Sequence, residues 1–149
     1  MAMNTKKVIV GGLVAGVVLN ILDFVLNGVV FGETMKAEMN AFKPGLGDAM
    51  STPDGSMIAG YIIMDLVIGM LLAYTYAAMR PRFGAGAKTA IIAALIFWVF
   101  GSIVAINYMM VGMMSQSTWF KFGFAYLVCL IITSLVAGAL YSESSTATA

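Results

Sequence analysis

The sequence predicts an all-α membrane protein: a four-transmembrane-helix bundle that forms a single domain. Hydrophobic residues make up 61% of the 149 residues and charged residues only 10%, whereas a soluble domain carries about 25% charged residues. The apolar residues fall into four runs. At about 1.5 Å per residue, each run is long enough to cross a hydrocarbon core about 30 Å thick. We expect the helices at about residues 8–31, 57–79, 89–111 and 118–141.

The segments between these runs differ in length and charge. Residues 32–56 form an outer loop that begins with GETMKAEMNAF, which is typical of a short interfacial helix or of a continuation of the first helix. The stretches KPGLGD and TPDGS, further along this loop, predict turns. The basic inner loop 80–88 contains Pro81, which we expect to end the second helix. The tail, residues 142–149, is small and polar, and we expect it to be mobile.

The distribution of lysine and arginine predicts how the chain is oriented in the membrane. More of these residues lie beside the termini and in loop 80–88 than beside loop 32–56. Because cytoplasmic segments carry the excess of positive charge, we expect both termini in the cytoplasm and an up-down course of two antiparallel hairpins. A weak similarity between the hairpins favours a parallel repeat. The first run is long for a signal peptide and no A-x-A site follows it, so we expect it to be retained.

Several classes of function are disfavoured by what the sequence lacks. There is no histidine, which removes the usual ligands of haem and zinc and the commonest general base. The single cysteine, Cys129, leaves no internal disulfide. The net charge of +1 disfavours nucleic acid as a partner. The stretch GAGAKT lacks the glycine that a phosphate loop needs before Lys88. No nucleophile–base pair is evident, so we expect neither enzyme activity nor a cofactor.

The first predicted helix carries one narrow polar and small-residue face. Gly12, Gly16, Asn20, Asp23 and Asn27 follow one another at spacings of four, four, three and four. At about 100° per residue they lie within roughly 80° of one another. Because a carboxylate facing lipid is costly, this face is expected to point towards protein or a water-filled cavity.

The second helix carries a matching row, formed by Tyr61, Asp65, Gly69, Ala73 and Ala77. If the end of the first helix is placed level with the start of the second, Asp23 and Asp65 lie at the same depth in the membrane. Small residues spaced by four allow membrane helices to approach closely. The residues that we expect to form this helix-packing seam are Gly12, Gly16, Gly69, Ala73 and Ala77.

The third and fourth helices add polar side chains at a similar depth. The predicted buried polar cluster consists of Asn20, Asp23, Asn27, Tyr61, Asp65, Asn107 and Tyr126. Two carboxylates close together in a low dielectric cannot both stay ionised, so the cluster is a candidate proton or cation site. Alternatively, these residues form hydrogen bonds between helices, worth on average about 0.6 kcal/mol each, that fix the register of the bundle.

Two further groups of residues have simpler interpretations. The basic side chains near the inner boundary suit anionic lipid headgroups; these are Arg80, Arg82 and Lys88. A methionine-rich turn offers thioethers, which suit Cu(I) but also serve as flexible apolar filler, and we expect no metal there. The residues of this turn are Met109, Met110, Met113 and Met114.

Two stretches resemble a known protein family. NILDFVLNGVV, at 20–30, and YAAMRPRFGAGAKTA, at 76–90, are similar to segments of small bacterial integral membrane proteins with four helices and no assigned activity. The resemblance implies an acidic residue at Asp23 and a basic, proline-containing cytoplasmic loop. It also implies a multi-pass protein of the bacterial inner membrane.

Taken together, these features predict a non-catalytic integral membrane protein. We expect a structural or accessory subunit of a larger membrane complex, or a homo-oligomer, with the lipid bilayer and other membrane chains as its partners. The alternative is a small proton- or cation-coupled carrier that uses the paired intramembrane carboxylates of Asp23 and Asp65.

Overall fold

The computed structural model describes residues 3–142, and this part of the chain is helical with short connections. Four helices are long and apolar enough to cross a membrane, which confirms the predicted all-α membrane class. Their bounds are Thr5–Val30, Gly55–Phe83, Ala87–Met110 and Gln116–Leu140. Apart from Ser142, the predicted mobile tail lies outside the described residues.

The first span consists of two kinds of helix. Helix α1, Thr5–Phe24, continues as a π-helix over Val25–Val30. The segment after it is mostly helical, with α2 at Gly32–Phe42 and α3 at Leu46–Ser51. The short helix predicted at the start of this segment is therefore confirmed. The turn predicted at KPGLGD is partly wrong, because α3 begins within it.

The remaining helices are α4, Gly55–Phe83; α5, Ala87–Met110; and α6, Gln116–Leu140. Three of the long helices begin at side chains that accept hydrogen bonds from otherwise unpaired backbone N–H groups. Asn4 Oδ1 accepts one from Lys7 N at the start of α1, at 3.2 Å. The Asp54 carboxylate accepts hydrogen bonds from Ser56 N and Met57 N, both at 2.9 Å. The Ser115 hydroxyl accepts one from Thr118 N at 3.2 Å.

The expectation that α4 ends at Pro81 is wrong, and the inner loop 80–88 is correspondingly shorter. Helix α4 contains Pro81 and runs on to Phe83. Proline removes one backbone donor, but so near the end of a helix this costs a single hydrogen bond. The helix ends at Gly84, whose φ of 85° is favourable for glycine and whose N–H donates to Arg80 O at 2.9 Å.

The four spans pack around an interior of small side chains. Helix α1 packs against α4 and α6, and α5 packs against α6 and α4. Alanine fills much of the buried core near Asn4 and Tyr141, an end that we call the terminal end. The alanines buried there are Ala15, Ala73, Ala77, Ala90 and Ala137. The opposite end, where α2 and α3 lie, is called the loop end.

Polar contacts join α2 to α3 and join α2 to the start of α6. The Lys36 ammonium pairs with the Asp48 carboxylate at 3.0 Å, and Asn40 Oδ1 accepts a hydrogen bond from Gly47 N at 2.8 Å. The Glu38 carboxylate accepts hydrogen bonds from Thr118 Oγ1 at 2.7 Å and from Ser115 N at 3.0 Å. Glu38 therefore attaches α2 to the start of α6.

Candidate functional site

The close contact between α1 and α4 is made through three glycines. A Cβ at Gly12 would lie 2.5 Å from Met70 Cα, and one at Gly16 would lie 2.6 Å from Leu66 Cα. A Cβ at Gly69 would overlap the backbone of Gly16 and lie 2.5 Å from Gly12 O. All three glycines are buried, as the predicted packing seam requires. Its remaining members, Ala73 and Ala77, are buried as well.

The register of the two helices differs from the expectation. Gly12 lies against Met70, Gly16 against Leu66, and Asn20 Nδ2 donates to Ile62 O at 3.3 Å. As the residue number rises along α1, the number of the residue that it contacts in α4 falls, so the two helices run antiparallel. The equal depth predicted for Asp23 and Asp65 is therefore wrong.

The two carboxyl groups nevertheless lie near each other. In the observed register, Asp65 lies nearer the terminal end than Asp23. The offset along the helix axis is about six residues, or about 9 Å. The side chains reduce this separation, because each Cα–Cβ bond tilts towards the N-terminus of its own helix. In antiparallel helices that tilt directs Asp23 and Asp65 towards each other, and the two carboxyl groups interact electrostatically.

Burial distinguishes the two aspartates. The Asp65 side chain is only 2% exposed, whereas Asp23 is partly exposed. In each case the Oδ1 atom is buried and has no hydrogen-bond partner within residues 3–142. Neither carboxylate forms a salt bridge with a described residue. The pair is therefore a site of uncompensated negative charge if both groups are ionised.

Asn20 and Tyr126 complete the part of the predicted cluster that comes together. The Asn20 amide donates to Gly16 O at 3.0 Å on its own helix as well as to Ile62 O on α4. Tyr126 is partly buried on α6 and interacts electrostatically with both Asp23 and Asp65. These four residues, from three helices, form the candidate site.

Three predicted members of the cluster are not buried. Asn27 is exposed and donates to Asp23 O on its own helix at 3.1 Å, because the π-helix turns its face away from the bundle. Tyr61 is 43% exposed. Asn107 is exposed and donates to Val104 O on its own helix at 3.0 Å. The prediction that Asn27, Tyr61 and Asn107 are buried is wrong.

One of the basic residues lines a second feature, a cavity of about 310 Å³ at the terminal end between α4, α5 and α6. Arg80 lines it and lies over the Tyr141 ring, with its guanidinium carbon 5.4 Å from the ring centre. The Tyr76 hydroxyl, also in the wall, accepts a hydrogen bond from Gly86 N at 3.0 Å. Arg82 lies over the Phe83 ring, and Lys88 is exposed.

The remaining candidates are not brought into a site. Met110 is 75% exposed at the end of α5, while Met109, Met113 and Met114 are partly exposed. Within residues 3–142, no group of three or more Cys, Asp or Glu side chains could hold a metal ion. Trp98 is not among the predicted site residues, yet its Nε1 donates to Gly123 O on α6 at 2.6 Å.

The site thus offers carboxyl, amide and phenol groups in an apolar surrounding, which can bind a proton or form hydrogen bonds between helices. No nucleophile and general base are paired in it. Compared with known proteins, the chain matches no protein-family model, no curated protein and no solved structure. The chemistry of its own residues is accordingly what supports the function proposed below.

Proposed function

We propose that this chain is a non-catalytic membrane subunit that assembles with other membrane chains, either as a homo-oligomer or as an accessory chain of a larger complex. One observation carries the proposal: two of its helices leave most of their side chains exposed over the loop-end half of the bundle. In α4, every residue from Gly55 to Met64 except Met57 is exposed. In α5, no residue from Leu95 to Met110 is buried. We call these two segments the open face.

The composition of the open face supports protein rather than lipid as its cover. It carries Gly60 and Gly101, and a Cβ at either position would meet no atom within 4 Å. Such glycines contribute nothing inside the chain, whereas small residues allow a helix of another chain to approach closely. The face also exposes the polar side chains of Tyr61 and Asn107. Polar groups within a span are costly against hydrocarbon and are usually directed towards protein.

The setting of this assembly is part of the proposal. The excess of lysine and arginine beside the termini and around Arg80 supports an up-down course with both termini in the cytoplasm. The resemblance of two stretches to small bacterial proteins supports the inner membrane, and the weak similarity between the two hairpins supports a parallel repeat. Arg80, Arg82 and Lys88 would then lie among the anionic headgroups of the inner leaflet.

The experiment combines native mass spectrometry with disulfide cross-linking in intact membranes. In a Cys129→Ala background, Ile103→Cys places a thiol on the open face, where the native side chain is 61% exposed. Val128→Cys on α6, natively 56% exposed, is the matched control. We expect oxidation to link Ile103→Cys to a second copy or to another chain, and to leave Val128→Cys as a monomer. Equal behaviour of the two variants would contradict the proposal.

A second pair of variants tests the interface without a cross-link. Gly101→Leu adds bulk where the chain itself offers no contact. We therefore expect the helix content of the monomer to be retained and the association seen by native mass spectrometry to be lost. Val128→Leu enlarges an exposed position on α6 and should keep the association. A Gly101→Leu protein that still associates would exclude the open face as the interface.

A further inference from the structure

Asp65 is the most deeply buried ionisable carboxyl group in the described chain. Its side chain is 2% exposed, and its Oδ1 accepts no hydrogen bond from residues 3–142. Ionised, Asp65 would have no hydrogen bond at this buried oxygen and no counter-ion among the described residues. Burying such a charge costs far more than burying the neutral acid, so the group is more stable when it carries a proton.

No Lys or Arg side chain within residues 3–142 forms an ion pair with Asp65. Helix α1 contributes Asp23, whose negative charge adds to the cost. Helix α6 contributes Tyr126 and, near Asp23, Cys129. Tyr126 packs against an apolar cluster of Leu72, Ala94 and Leu130, and Phe97 and Trp98 of α5 pack against the same cluster. Lys121, at the loop end of α6, is exposed.

We propose that Asp65 and Asp23 form a proton-binding carboxyl pair, in which Asp65 holds the proton and the less buried Asp23 is the group through which it exchanges. Binding makes an O–H bond at Asp65 Oδ1 and removes one negative charge from the pair. Release returns the proton through Asp23 to water. This site goes beyond the assembly role and does not depend on it.

The geometry favours a proton over a metal cation. A hard cation needs several oxygen ligands arranged around it at once. In residues 3–142, no cluster of three acidic or thiol groups is available to provide them. The Asn20 amide is already committed to Gly16 O and Ile62 O through its nitrogen. A proton requires only the single unpartnered oxygen that Asp65 supplies.

The test is labelling of the purified full chain with dicyclohexylcarbodiimide, a membrane-permeant reagent that attacks protonated carboxyl groups, followed by peptide mapping by mass spectrometry. We expect the adduct on Asp65. Above the midpoint its rate of formation should fall about tenfold for each pH unit, as the protonated fraction does. Added Na⁺ at constant pH should leave the rate unchanged. Asp48, which is exposed and paired with Lys36, is the internal control and should stay unlabelled.

Each of the opposite outcomes would overturn the proposal. Labelling of Asp65 that is independent of pH would mean that the group does not exchange a proton. Protection by Na⁺ at constant pH would mean that a metal cation occupies the pair. Asp23→Asn should slow the labelling of Asp65 by removing its route to water. If that variant does not fold, the pH profile of the unmodified chain still decides, and neither result bears on cross-linking at the open face.

Discussion

Gly69 of α4 lies directly against the backbone of Gly16 in α1, so that a single added carbon at position 69 would overlap Gly16 N. In lipid there is no hydrophobic drive that brings helices together, and attraction depends on how closely their backbones approach. This glycine pair therefore determines how tightly the two helices pack.

Gly69→Ala should destabilise the bundle by about 1–3 kcal/mol, the usual cost of overpacking a close contact. The measurement is the free energy of unfolding in mixed detergent micelles. Gly60→Ala, on the same helix, is the control. Its Cβ would meet nothing, and the higher helix propensity of alanine should leave the stability unchanged or slightly raised. Equal changes in the free energy of unfolding at the two positions would show that the contact with Gly16 does not govern the effect of Gly69→Ala.

The two tryptophans should respond differently to the loss of their N–H groups. Trp98 Nε1 donates to Gly123 O at 2.6 Å, whereas Trp119 Nε1 is buried without a partner within residues 3–142. We expect Trp98→Phe to cost about 0.6–1.7 kcal/mol more than Trp119→Phe, the range measured for hydrogen bonds between membrane helices. Unfolding followed by far-UV circular dichroism compares the two. A larger loss for Trp119→Phe would contradict the assigned bond.

Two of the asparagines that donate within the spans, Asn20 and Asn107, form a similar pair. Asn20 donates to Ile62 O on another helix, while Asn107 donates only to Val104 O on its own. Asn20→Ala should therefore lower the free energy of unfolding of the isolated chain by about 0.6 kcal/mol or more. Asn107→Ala should leave it unchanged, and under the assembly proposal should weaken association instead. Unfolding in detergent and native mass spectrometry separate these two effects.

The contact between Glu38 and the start of α6 should depend on pH. Partial burial of Glu38 acts to raise the pKa of its carboxyl group, but hydrogen bonds from Ser115 and Thr118 outweigh this and hold the pKa below its ordinary value of 4.5. A lowered pKa means that the stabilisation is present above pH 4.5 and is lost as the pH falls through the folded-state pKa.

The amide of Ser115 reports on this contact, because it donates to Glu38 Oε2. We expect its hydrogen exchange to be protected above pH 4.5 and to lose protection below it. Glu38→Gln cannot ionise, so the ratio of its exchange rate to that of the unmodified chain removes the intrinsic effect of pH on exchange. A ratio that does not change with pH would show that the carboxylate does not hold α2 to α6.

Much of the packing could be predicted from the spacing of small residues. The rows that contain Gly12 on α1 and Gly69 on α4 correctly predicted which faces of these helices meet. The register could not be predicted in the same way. Small residues recur every four positions on both helices, so sliding one helix along the other still brings small residues together. The contacts of Gly16 with Leu66 and of Asn20 with Ile62 settle what the pattern leaves open.

The polar cluster was predicted less well, for two physical reasons. The spacing of polar residues predicts a regular α-helix through Asn27. The structure has a π-helix at Val25–Val30, whose wider turn redirects the Asn27 side chain. Tyr61 and Asn107 are predicted to join the cluster from their depth along the spans. They lie instead on the open face, where most side chains of α4 and α5 are exposed.

The position of α1 in the bundle has a consequence for biogenesis. It leaves the ribosome before the other three spans, yet its partners are α4 and α6, and Asn4 N at its start donates to the Tyr141 hydroxyl, 137 residues later. Until α4 has been inserted, Gly12, Gly16 and the Asp23 carboxyl group have no partner helix. During synthesis α1 therefore has to wait beside the insertion machinery or in lipid. Protonation of Asp23 would lower the free-energy cost of this stage, because the neutral acid is far less costly to expose to hydrocarbon than the carboxylate.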